Sequence, residues 1–180
     1  MEWNEYKVLS EKTLSTQFNC DVREQLLLHA VMGILTELDE LTDWDGDEVN
    51  KKEEIADAFW YVAILDRELN LNFQISDNSE NLLQLKNQKF ILDLYKQSCN
   101  LLDILKKKLY YNKPIDLEKF VYYSNQIFMT LNLFCQFNDI NVSNILDTNI
   151  SKLKARYGEK FSSEKAIVRD LEKERQILEQ

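Results

Sequence analysis

One proline, Pro114, and three glycines, Gly33, Gly46 and Gly158, are all the strong punctuation in 180 residues. Tight hairpins between strands depend on such residues, so a strand-rich fold has little to be built from here. Long Leu-, Ile-, Lys- and Glu-rich runs lie between these points, and together they predict an all-α protein. Asp21 and Glu24 have capping-box spacing ahead of "REQLLLHAVMGILTELDELTD", and "WDGDEVN" ends that helix. Further helices are expected over 49–70, from Ser76 or Ser79, over 87–111, from the Asp116 cap to Phe137, and from Ser143 to Tyr157. A charged helix over 162–180, capped by Ser162 or Ser163, makes a bundle of about seven helices.

The length suits a single compact domain over 1–180, or two small repeats around one core. "ENLLQLKNQ" resembles "TNISKLKAR" at a separation of 68 residues, which aligns Asn81 with Asn149, Trp60 with Phe128 and Leu85 with Leu153. "ELTD" matches "NLLD" at a separation of 60, and the longer loop "KKKLYYNKPID" absorbs the difference. These matches predict a tandem repeat folded as a pseudo-dimer, with repeat one over about 21–88 and repeat two over about 89–157. Residues 71–145 as an unrelated insertion is the alternative.

Composition narrows the function. With 44% hydrophobic residues the chain can build a core. A net charge of −9 and the absence of a dense basic run exclude polymeric nucleic acid as an expected partner. Lys106, Lys107 and Lys108 are most simply a solvated helix end. The start has no signal-peptide layout and no apolar run is long enough to span a bilayer, so a cytoplasmic protein with no membrane partner is expected. Three scattered cysteines, Cys20, Cys99 and Cys135, point to neither a disulfide framework nor zinc.

Four acids stand out inside the helical runs: Glu37 with Glu40, and Glu54 with Asp57. Residues three apart share a helix face at about 5–6 Å between Cβ atoms. A short connection packs the two helices antiparallel and can set the pairs opposite each other. Oxygen-only ligands suit Mg²⁺, with Mn²⁺ as the alternative, and acids lining a wet helix face are the plainer reading. Aligned by repeat, Glu37 corresponds to Gln97, Glu40 to Asn100, Glu54 to Tyr122 and Asp57 to Asn125, so the second copy lacks the charge. Gly33 stands one turn before Glu37, where close packing of a neighbour explains it best. His29 reads as a partly buried, satisfied histidine and Trp60 as core.

"LLLHAVMGILTELDEL", "EEIADAFWYVAIL" and "NISKLKARYGEKFS" together resemble the MazG-like all-α nucleoside triphosphate pyrophosphohydrolases. The resemblance covers residues 26–70 and 146–180, including the tail "SSEKAIVRDLEKERQILEQ". It implies that Glu37, Glu40, Glu54 and Asp57 form the catalytic and metal-binding set. They would hold Mg²⁺ on a nucleoside triphosphate, ribo- or deoxyribo-, while water displaces pyrophosphate and leaves a monophosphate; Glu37 is the first choice to orient or deprotonate that water. It further implies substrate contacts from Asn149, Lys152, Arg156 and Tyr157. The first half carries Gln84 where the pattern has lysine, and the second half carries Lys152 but no acids. One composite site follows, with acids from repeat one and cations from repeat two. Such a unit suffices as a monomer or pairs as a homodimer of pseudo-dimers. The rival is a helical protein that binds or sequesters a nucleotide without efficient turnover.

Overall fold

The computed structural model describes residues 18–43, 45–75, 87–158 and 163–179. Among them lie seven helices and no strand: α1 (Val22–Thr42), α2 (Glu48–Leu69), α3 (Asn87–Tyr111), α4 (Leu117–Phe137), α5 (Val142–Tyr157), α6 (Ser163–Ile167) and α7 (Leu171–Leu178). The all-α expectation holds. The helix expected from Ser76 or Ser79 lies outside the described residues, as do Asn81, Gln84 and Leu85 of the repeat match.

The helix ends follow their local chemistry. Asp21 accepts from the Glu24 backbone N–H at 2.8 Å and Glu24 accepts from the Asp21 N–H at 3.0 Å, completing the capping box. Asp47 caps α2 after a turn in which Asp45 and Gly46 take positive φ, Gly46 at 93°. Asp116 caps α4. The α5 cap is Asn141, two residues ahead of the expected Ser143 start, because the Asn141 side chain accepts from the Asn144 N–H. The C-terminal helix expected over 162–180 is instead two helices, with Asp170 capping the second. Its carboxylate accepts from the Lys173 N–H and restarts the helix there.

Core positions recur at three- and four-residue intervals. Leu27, Ala30, Val31, Ile34, Leu38 and Leu41 of α1 are buried, as are Ile55, Phe59, Val62 and Leu65 of α2. α3 contributes Leu94, Leu101 and Leu105, and α4 contributes Phe120, Ile127, Leu131 and Phe134. α1 packs on α2 and α3 on α4; α1 also meets α3 and α2 meets α4. The result is two hairpins laid against each other. α5 lies along α2 and also packs against α6 and α7. That placement brings a helix from the far end of the chain against the acid-bearing helix.

Lys106 and Lys107 both pair with Asp103, and Lys108 lies 3.6 Å from Glu24, so each lysine of this basic run has a carboxylate beside it. All three cysteines are free. No described helix is long and apolar enough to cross a membrane.

Candidate active site

The turn at Asp45–Gly46 sends α2 back along α1, and the carboxylates meet across that hairpin. Oxygens of Glu37, Glu54 and Asp57 all lie within 4.8 Å of one another, and all three side chains are half-buried. Glu40 is exposed and lines the mouth of the same cleft. The four expected acids thus divide into an inner group of three and one at the rim. The cleft encloses about 390 Å³.

Crowding these acids has an electrostatic cost, visible in their protonation. Burial, then the Asp57 charge, raises the Glu37 carboxyl to about 7. Burial, then the hydrogen bond with Glu37, raises Glu54 to about 9. Without a cation the two carboxyls share a proton, one donating to the other. A divalent ion would take the proton's place. The donor set is all oxygen, converges from two helices and remains reachable from the cleft, which fits Mg²⁺ or Mn²⁺.

Asp57 is anchored from α5. Its Oδ1 accepts from Asn149 Nδ2 at 2.5 Å, and its Oδ2 accepts from Lys152 Nζ at 2.6 Å. Lys152 also donates to Glu53 Oε1 at 3.0 Å, and its side chain is only 1% exposed. Buried ammonium and buried carboxylates compensate each other here; either alone would be costly. The sequence reading placed Lys152 and Asn149 against substrate, whereas both side chains are directed onto the acids. A carboxylate has about four lone-pair sites, so Asp57 keeps ligating capacity beyond these two bonds.

The walls are aromatic. A methyl group on Gly33 would lie 2.2 Å from the Tyr61 ring, so this glycine is where Tyr61 lies flat against α1, in line with the packing expectation. Burial, then the charges of Glu37 and Asp57, pushes the Tyr61 phenol above its ordinary value. His29 is exposed, where the sequence reading expected partial burial, because it sits between core positions Leu27 and Ala30 on the outer side of α1. It meets the Tyr61 ring edge-on at 5.4 Å and Trp60 at 6.3 Å. Trp60 departs from expectation: it is 39% exposed and lines the cleft, while its neighbour Phe59 occupies the core. Adjacent helical residues point about 100° apart, and Phe59 is the one of the two turned inward.

Arg156 and Tyr157 line the cleft with Leu153. Arg156 is committed to a carboxylate the sequence reading did not single out: its Nε and Nη2 lie 2.8 and 2.5 Å from the two oxygens of Glu174. Glu53 and Arg169 were likewise missed. Glu53 stands one helical turn before Asp57, an i,i+4 spacing that could have signalled it. Arg169 lies outside any helix and has no periodic signature.

No family model, curated protein or solved structure matches the chain. The functional reading therefore stands on geometry and on the motif resemblance alone.

Proposed function

We propose that this cleft is the active site of a divalent-cation-dependent nucleoside triphosphate pyrophosphohydrolase of MazG-like type, with a (d)NTP as substrate. The observation that carries the reading is the convergence of Glu37, Glu54 and Asp57 from two helices at the base of an aromatic-walled cleft. A divalent ion held there would neutralise phosphate charge and lower the pKa of a water bound to it. Glu37, Glu54 and Asp57 would hold it, with Glu40 joining the set from the rim.

The chain's own residues supply the rest. Glu37, in the clustered carboxylates at the base of the cleft, is the group we assign to orient the attacking water or take its proton. Water adds to the α-phosphorus, the bond from that phosphorus to the bridging oxygen breaks, and pyrophosphate leaves with the electron pair. A nucleoside monophosphate remains. Lys152 and Asn149 hold Asp57 in one orientation, so α5 contributes through the acids. Trp60, Tyr61, His29 and Tyr157 offer flat faces for a nucleobase.

The composite-site idea rests on the same contacts. α1 packs against α3 and α2 against α4, as equivalent helices of a pseudo-dimer would, and α5 completes the site made by α1 and α2. The direct test follows the products by phosphorus NMR with Mg²⁺ and a deoxynucleoside triphosphate. Pyrophosphate and monophosphate resonances are expected; orthophosphate with a diphosphate would contradict attack at the α-phosphorus.

A further inference from the structure

α7 presents an unusual problem. Of its eight residues the only buried one is a carboxylate, Glu174, at 3% exposure. A short helix held by an apolar face would bury leucine or isoleucine there. This one is fastened by charge. Glu174 takes Arg156 on both oxygens, and it takes Arg169 through Nη2 at 2.6 Å and Nε at 3.2 Å. The next residue, Arg175, reaches the α2 cap and donates to Asp47 at 2.7 Å and Asn50 at 2.8 Å. Burial alone would push Glu174 up, but the hydrogen bonds from Arg156 and Arg169 outweigh it and hold the carboxyl at about 2. It stays ionised throughout the neutral range.

One buried anion thus fixes two guanidiniums, and the three groups together carry a charge of +1. Arg169 sits in the non-helical link before α7, where no backbone ladder would hold it. Its side chain is 37% exposed and lines the same cleft as the acids, with Nη2 4.0 Å from Glu53. The cleft therefore has an acidic floor and a cationic lip. A ligand matching both is a polyanion whose cation rests on the floor and whose remaining oxygens face the lip.

Building on the pyrophosphohydrolase reading, we infer that Arg169 binds the leaving β- and γ-phosphates of the nucleotide, and that Glu174 is the positioning residue that holds it there. Arginine suits the task because its planar fork engages phosphate oxygens bidentately and stays charged. Arg156 shares the clamp but is more deeply enclosed, so Arg169 is the member whose held guanidinium faces a phosphate in the cleft. Charge growing on the departing pyrophosphate is then met by a guanidinium already in place.

The test uses the full chain with Mn²⁺ and a panel of α,β-imido deoxynucleoside triphosphates, comparing wild type, Arg169→Met, Arg169→Lys and Glu174→Gln by calorimetry. Arg169→Met is expected to weaken the triphosphate analogue by about tenfold or more, the range of a lost hydrogen bond to a charged group. It should leave the corresponding monophosphate and Mn²⁺ alone unchanged. Arg169→Lys should recover part of the loss, and Glu174→Gln should raise KM for the triphosphate more than it lowers kcat. Because Arg169 is at the surface, its variant separates the ligand role from any folding defect in Glu174→Gln. Wild-type triphosphate affinity in Arg169→Met would overturn the inference while leaving the enzyme reading intact. A wild-type protein that binds and hydrolyses no nucleotide would overturn both.

Discussion

Lys152 Nζ lies 2.6 Å from Asp57 Oδ2, joining two residues 95 positions apart through a side chain that is 1% exposed. This contact ties α5 to the acid-bearing hairpin and supplies the only buried ammonium beside the three clustered carboxylates among the described residues. Replacing it by Lys152→Met leaves Asp57 and Glu53 facing each other uncompensated. The expected destabilisation is about 3–5 kcal/mol, the range for breaking one side of a buried pair. Urea unfolding measures it. Added MgCl₂ should recover part of the loss, since a cation can replace the ammonium's charge.

The shared proton of Glu37 and Glu54 makes the metal-free protein pH-sensitive. Both carboxyls have an ordinary value of 4.5 and are raised in the folded chain to about 7 and about 9. The folded state therefore keeps protons that the unfolded chain has lost above that ordinary value. This contribution to stability is fully present below pH 4.5 and is lost as pH rises through about 7 and then about 9. In EDTA, Tm should fall by several degrees between about pH 6 and 9. Mg²⁺ should flatten the slope, and its affinity should rise with pH because binding releases a proton.

Glu40 stands at the rim, and its charge raises both Glu37 and Glu54. Glu40→Gln should lower both carboxyls and leave the metal-free protein equal or slightly more stable, by about 0.5 kcal/mol. The same change should weaken Mg²⁺-dependent stabilisation. Thermal melts with and without Mg²⁺ read both effects; an unchanged Mg²⁺ response would remove Glu40 from the metal set.

Gly33 and Tyr61 interlock. Alanine at position 33 gains about 1 kcal/mol of helix propensity but places its methyl inside the Tyr61 ring position, 2.2 Å away. The displaced ring should make Gly33→Ala net destabilising by about 1–3 kcal/mol. In a Tyr61→Leu background the same substitution should be near neutral or stabilising. A double-mutant cycle by urea unfolding gives the coupling.

Much of this was readable from residue patterns. The caps at Asp21 and Asp116 follow from side chains acting within a turn of their own position, and the facing of Glu37 toward Glu54 and Asp57 follows from i,i+3 spacing on two helices joined by a short turn. What escaped lies in contacts across sequence. Lys152 was visible as a cation near the site, but only packing of α5 on α2 turns its ammonium onto Asp57. Glu174 looked like one acid among several in a charged tail, and its burial depends on Arg156 arriving from another helix. Choosing between Phe59 and Trp60 for the core required the helix phase against α4, where Phe59 meets Phe128 at 6.2 Å. The Asp170 break was locally encoded, because a good N-cap inside a charged run restarts the helix.

The most direct measurement is pyrophosphate release from a panel of ribo- and deoxyribonucleoside triphosphates, with Mg²⁺ or EDTA, comparing wild type with Glu54→Gln. The predicted result is Mg²⁺-dependent formation of pyrophosphate and monophosphate from at least one triphosphate, reduced by about a hundredfold or more in the variant. Glu54→Gln at the wild-type rate, or no turnover of any triphosphate with Mg²⁺ or Mn²⁺, would contradict it. In the second case, thermal stabilisation by one nucleotide would identify a binding protein instead.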